Sequence, residues 1–330
     1  MRCADDRGGR APGLARMVLC RAREPPRARE PNGTVSHRAL TPWIVAALAL
    51  PLAACAARPP DLAFGPPERP ALLALPLLHD GTTPLPLLVL LHGYGASARS
   101  QNAYFGLDAV TRDRGVYLLL PESSRDALGA SFWNATDACC DFYGSNVDDV
   151  AALDVLLDEV IAALPIDTAR IYLLGHSNGG FMAYRMACER GSRFAGVGVL
   201  AAADFQDPAA CAPTAPVSVL HLHGDADGTI PYLGGSVFAG TPPFPSARAS
   251  VERWAGYAGC DPTPTAGPAR DLTLERPDHP DALETEVLDF TGCAPGLGVS
   301  LWTLRDEGHA PLFHRDAFVP VLDWLLEHHR

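Results

Sequence analysis

Ser177 lies in the run Gly175-His176-Ser177-Asn178-Gly179-Gly180. A serine with glycine two residues to either side has the spacing of a nucleophile elbow, a tight strand-to-helix turn that lifts the hydroxyl above a sheet edge. The motif alone is short enough to arise by chance. Here residues 170–174 ahead of it read as a strand and residues 178–189 behind it as a helix, which is the context the motif requires.

A serine hydroxyl is a poor nucleophile without a base. Where an elbow carries a triad, an acid follows the serine in the chain and the histidine comes last. His309, in Arg305-Asp306-Glu307-Gly308-His309, follows the last predicted strand and precedes the last predicted helix, with His314 as its near rival. The acid belongs in His223-Gly224-Asp225-Ala226-Asp227-Gly228-Thr229-Ile230-Pro231, after the strand at 217–222. Distance from that strand and the following Ile-Pro favour Asp227 as the group that orients His309. Asp225 reads as a turn former bonding its own backbone. Two N–H groups are needed for the oxyanion. Asn178, directly after the serine, supplies one, and Tyr94 in His92-Gly93-Tyr94-Gly95 the other; His92 reads as a structural loop residue.

These residues need a scaffold. Residues 85–91, 116–120, 195–201, 217–222 and 299–304 are short apolar runs, while 148–164 and 316–328 have helical spacing. Asp148 and Asp149 suit a helix start. Strands buried on both faces and alternating with helices imply a mostly parallel sheet with helices on both faces, an α/β-hydrolase fold. Residues 122–146 and 233–281 resist assignment and are expected to lie over the site. Phe132 and Trp133 either line a substrate pocket there or fill the core beneath it.

The chain has 330 residues, a formal net charge of -12, and only arginine as its basic residue besides histidine. Arginine is concentrated before residue 55, so the body is more acidic still. That repels phosphate backbones and argues against a nucleic-acid partner. The apolar run from Trp43 to Leu52 is too short for a comfortable bilayer span and fits the core of an export signal. It ends in Leu52-Ala53-Ala54-Cys55, which resembles a lipobox, with Cys55 as the lipidated residue. An ordinary signal cleaved after an Ala-x-Ala-like site is the alternative. The chain then divides into an N-terminal extension and signal (1–54), a Pro-rich tether (55–69) and one catalytic domain (70–330). A membrane partner enters only through the anchor.

Six of the nine cysteines fall in the body: Cys139, Cys140, Cys188, Cys211, Cys260 and Cys293. An even number in an exported chain points to disulfides, and no spacing matches a zinc site. Adjacent Cys139 and Cys140 are expected to find separate, distant partners.

The whole pattern resembles the bacterial esterases grouped as polyhydroxybutyrate depolymerases, related to feruloyl and acetylxylan esterases. The resemblance runs over about residues 70–329. It rests on Leu91-His92-Gly93, Trp133-Asn134-Ala135, Cys139-Cys140, Val147-Asp148-Asp149-Val150, the Ser177 motif, Ala183-Tyr184-Arg185, Cys188-Glu189, His223-Gly224-x-x-Asp227 and Gly308-His309, all in order. It implies Ser177, Asp227 and His309 as the triad of a serine ester hydrolase acting on a small or oligomeric ester, without metal or organic cofactor. It also implies a Cys260–Cys293 bridge, with Cys139 and Cys140 reaching toward Cys188 and Cys211. Relatives commonly carry a tryptophan after the histidine; here the run is His309-Ala310-Pro311-Leu312, so the acyl-side pocket stays open. A peptidase of the same fold and a non-catalytic surface lipoprotein are the competing readings.

Overall fold

The computed structural model describes residues 61–77, 79–274 and 283–330. The signal-like segment and Cys55 lie outside the described residues. The chain divides into two units, Met1–Cys55 and Ala56–Arg330, and everything below concerns the second.

Its elements run β1 (Leu62–Phe64), β2 (Ala71–Ala74), β3 (Leu85–Leu91), α1 (Ala98–Phe105), α2 (Leu107–Asp113), β4 (Tyr117–Pro121), β5 (Ser124–Arg125), β6 (Ser131–Phe132) and α3 (Asp149–Ala163). Then follow β7 (Ile166–His176), α4 (Asn178–Arg190), β8 (Gly196–Leu200), β9 (Ser218–Gly224), β10 (Gly235–Ser236), β11 (Pro243–Phe244) and α5 (Ala247–Tyr257). The chain closes with β12 (Thr265–Ala266), β13 (Thr285–Phe290), β14 (Val299–Leu304) and α6 (Phe318–Leu326).

Ten strands form one sheet in the order β1-β2-β4-β3-β7-β8-β9-β14-β13-β12. The six from β4 to β14 are parallel; the edges on both sides are antiparallel. The inner strands are apolar throughout because both faces are covered. Along β3, Leu87, Val89 and Leu91 enter the core shared with α3, α4 and α5, while Leu88 and Leu90 face α1, α2 and α6. That alternation follows from the two-residue period of a strand.

Two expectations need correction. The tether is shorter than its proline content suggests, since Leu62–Phe64 pairs with β2 as an edge strand. Proline is tolerated beside such an edge, where ladder hydrogen bonds are not required. Within 233–281, α5 is a core helix under the sheet, with Val251 and Trp254 fully buried. Its signal was Ser246 as N-cap, accepting from Ala249 N–H, with apolar residues at 247, 251, 254, 255 and 258.

The disulfide expectation also changes. Cys260 pairs with Cys293, while Cys188 pairs with Cys211 and Cys139 with Cys140. With Cys188 paired to Cys211 and Cys260 to Cys293, no distant cysteine among the described residues is left for the adjacent pair. Its Cα atoms are 3.0 Å apart, closer than consecutive residues of a trans peptide.

Two stability measurements follow. Cys260→Ser with Cys293→Ser opens a bridge with a sequence separation of 33, and urea melts should show a loss of about 3–4 kcal/mol. Arg69 pairs with fully buried Asp149 at 2.6 Å. Arg69→Ala leaves that carboxylate unpaired and should lose about 3–5 kcal/mol in the same assay.

Candidate active site

Ser177 has φ 55° and ψ -123°, a conformation rare for a residue with a Cβ. Its surroundings fix it there. Ser177 N–H donates to Leu200 O at 2.8 Å, and Gly180 and Phe181 N–H donate to Ser177 O at 2.8 and 3.0 Å. A Cβ on Gly175 would overlap the Gly179 carbonyl, and one on Gly179 would overlap that of Leu91. Glycine at both positions lets β7, α4 and β3 meet backbone to backbone.

His309 Nε2 lies 2.9 Å from Ser177 Oγ, and its Nδ1 lies 2.8 Å from Asp227 Oδ2. A carboxylate only accepts, so Nδ1 carries the proton and Nε2 is left to accept from the serine hydroxyl. Asp227 Oδ1 accepts from the N–H groups of Thr229 and Ile230 at 2.8 and 2.9 Å. Burial pushes the Asp227 carboxyl up. Hydrogen bonds from His223, His309 and the Ile230 backbone outweigh that and hold it well below the usual carboxylate range. The carboxylate therefore stays ionised while 5% exposed.

Asp225 does not bond its own turn as expected; Asp227 Oδ1 does that, and Asp225 reaches across to the loop that carries His309. It accepts from Asp306 N–H at 2.7 Å and from Arg305 Nη1 at 3.1 Å, tying its turn to the loop that carries His309. Gly224 sits so close to the Glu307 carbonyl that any Cβ would overlap it. His176 Nε2–H donates to His309 O at 3.0 Å. Burial lowers the His176 pKa to about 4, so its ring is neutral at physiological pH. His314 Nε2–H donates to Asp271 O and takes no part in this group.

Above Ser177, Gly95 N–H donates to Ser131 O at 2.8 Å and Gly93 N–H to Gln101 Oε1 at 3.3 Å. Among the described residues, no acceptor meets the N–H of Tyr94 between them. Asn178 N–H, first in α4, likewise lacks an intrahelical partner. The Tyr94 hydroxyl donates to Asp126 Oδ2. His92 is fully buried and its pKa is lowered to about 4 by burial. Its Nδ1–H donates to Gly93 O at 2.9 Å and its Nε2 accepts from Ser123 N–H at 3.3 Å, which fits a loop-fixing role.

Trp133 is fully buried, which is the core alternative rather than the pocket one. A ring with no exposed face cannot stack on a ligand. It holds the site from behind instead. Its N–H donates to Asn178 Oδ1 at 2.7 Å, Asn178 Nδ2 donates to its carbonyl at 2.8 Å, and its Nε1 donates to His92 O at 3.0 Å. Behind it, Asn134 N–H donates to Asp149 Oδ2 at 2.6 Å, and Arg185 Nη1 donates to Asn134 O and Ala135 O at 2.7 and 3.1 Å. Asp149 reads from the sequence as part of a helix start and Arg185 only as part of a motif of the resemblance; nothing in local spacing shows the bonds they make here.

A cavity of about 410 Å³ lies between residues 134–146 and 238–242, with Thr136, Cys139, Phe142 and Phe238 among its walls. Phe142 stands 5.5 Å from the Tyr94 ring and 4.8 Å from that of Phe238. Among the described residues, no cluster of three or more His, Cys, Asp or Glu could hold a metal ion. No described helix is long and apolar enough to cross a membrane.

Residues 74–226 match the esterase PHB depolymerase family model. NocK of Nocardia uniformis subsp. tsuyamanensis, named as an esterase, is 33% identical over 56% of this chain and 54% of its own length. The chain thus spans about half of that relative. Feruloyl esterase C of Emericella nidulans is 26% identical over 78% of this chain and 82% of its own. An acetyl xylan esterase structure from Aspergillus awamori superposes with a TM-score of 0.52 at 13% identity, covering 78% of this chain and 94% of that one, which shows the shared fold. Residues 74–226 are thus similar to the esterase PHB depolymerase family, and the structural likeness shows an α/β-hydrolase fold.

Proposed function

We propose that the chain is an exported serine hydrolase cleaving small or oligomeric soluble esters through an acyl-enzyme. The observation that carries this is the continuous line Ser177 Oγ, His309 and Asp227 at 2.9 and 2.8 Å. His309 Nε2 takes the serine proton as Oγ attacks the ester carbonyl. Asp227 steadies the imidazolium that results. The oxyanion forms between Tyr94 N–H and Asn178 N–H. His309 then protonates the leaving alcohol. Water attacks the acyl-enzyme by the reverse proton path and releases the acid.

The tilted rings of Tyr94, Phe142 and Phe238 give an ester group an apolar wall beside the loop after β3. It supports an aryl or similarly flat substrate portion, the kind the name feruloyl esterase gives to one relative. Export is supported by three disulfides among the described residues and by the signal-like sequence. Anchoring through Cys55 rests on its lipobox-like context alone.

Ser177→Ala should lower kcat on p-nitrophenyl acetate and butyrate by about 10⁴–10⁶-fold. Equal turnover by variant and wild type sinks the mechanism. Asp227→Asn should lower kcat about 10⁴-fold, because Nδ1 of His309 loses the partner that keeps its proton there. The same variant tests linkage. A carboxyl lowered on folding contributes stability above the ordinary carboxylate range, and that stability is lost as pH falls through the folded value. Thermal melts of Asp227→Asn should therefore fall less steeply on acidification than those of the wild type.

A further inference from the structure

Three buried side chains form a line of hydrogen bonds that ends at the Ile230 carbonyl, beside Asp227. Tyr184 OH lies 2.7 Å from His221 Nδ1, His221 Nε2 lies 3.0 Å from His223 Nδ1, and His223 Nε2 lies 2.8 Å from Ile230 O. The same Nε2 lies 3.4 Å from Asp227 Oδ2, the oxygen that also serves His309. Tyr184 and His221 are fully buried, and His223 is 1% exposed. His221 and His223 are two residues apart on β9, so both rings leave one face; they stack at 12° with centroids 5.3 Å apart.

The proton positions along this line follow from one end. A backbone carbonyl only accepts, so His223 must carry its proton on Nε2. With one proton, its Nδ1 accepts, and His221 must donate from Nε2. His221 Nδ1 then accepts from the tyrosine hydroxyl. Burial keeps His221 neutral and Tyr184 protonated, consistent with this single arrangement. Every polar atom in the line is satisfied, with no water required.

The line touches the working carboxylate. It also closes the acid loop, because the bond from His223 to Ile230 O spans Gly224 to Ile230. We propose that His223, its proton kept on Nε2 by Tyr184 and His221, is a positioning residue for Asp227 that sets how strongly this carboxylate supports His309. This rests on the triad reading above. The His223 N–H donates to Ile230 O and lies 3.4 Å from Asp227 Oδ2, so its positive end draws off part of the carboxylate charge that His309 would otherwise feel. Other charged or titratable groups facing the line are few. Tyr232 stands edge-on to His223 at 5.5 Å, and His176 lies 5.2 Å from His309. The Arg253–Asp204 ion pair acts electrostatically on Tyr184.

The sign of the effect is fixed. Without the His223 donor, Asp227 presents more negative charge to His309, the imidazolium is favoured, and the His309 pKa rises. His223→Leu removes the donor; His223→Gln retains an amide N–H near the same place. Histidine ring NMR reads both the tautomers and the titration of His309, with or without turnover. In the wild type, His221 and His223 should both carry the proton on Nε2. His309 should titrate ~0.5 unit higher in His223→Leu, with the acid limb of kcat/KM moving alike and kcat falling about 10-fold at little change in KM. His223→Gln should restore most of the wild-type profile. An Nδ1–H tautomer at His223 overturns the proposal, as does an unchanged His309 titration in a folded His223→Leu. If that variant fails to fold, His223→Gln and the wild-type tautomers decide. An inactive wild type with the expected tautomers and titrations would fault the ester hydrolase reading and leave this relay standing.

Discussion

The structure depends on the closeness of three backbone segments at the end of β7. Ser177 holds a left-handed φ of 55° only because the chain around it is locked from several sides. Gly175 and Gly179 remove the side chains that would otherwise stand between β7, α4 and β3. The candidate nucleophile and both candidate oxyanion donors then share one small region. The elbow offers Asn178 N–H from the start of α4, and the loop after β3 offers Tyr94 N–H.

The same logic repeats one layer out. Parallel strands deliver their carboxyl ends to one edge of the sheet, so β3, β7, β9 and β14 lead into the Tyr94 loop, Ser177, Asp227 and His309 in turn. This is where open parallel sheets bind ligands. Two loops must still be set against each other to within a hydrogen bond. Asp225 and Gly224 do this for the acid and histidine loops. Trp133, held by Asn178 and His92, does it for the oxyanion loop. Asp149 supports that arrangement from the first turn of α3, and the fully buried Asp149 needs Arg69 from outside the main parallel strands.

Much of this was legible in the sequence. The Ser177 turn, the late His309 and the choice of Asp227 over Asp225 rest on local spacing and chain order, which the fold constrains strongly. The inner strands were legible because burial on both faces makes them continuously apolar. The antiparallel edge strands were not, since Leu62–Phe64 and Thr285–Phe290 lack such runs. Trp133 reads by type alone, as an aromatic that either lines a pocket or fills the core. Its place depended on contacts with residues 41 and 45 positions away, which no local pattern encodes. The Cys139–Cys140 bridge was missed for a related reason: pairing depends on which partners are already taken.

Direct trapping of the acyl-enzyme tests the central claim most closely. The protein is mixed with p-nitrophenyl acetate, quenched in acid during the first turnover, digested and mapped by mass spectrometry. The account predicts one acetylated peptide, with the acetyl group on Ser177, formed together with a burst of p-nitrophenol. Sustained turnover with the acetyl group on another residue, or with no acylated peptide at all, would contradict it.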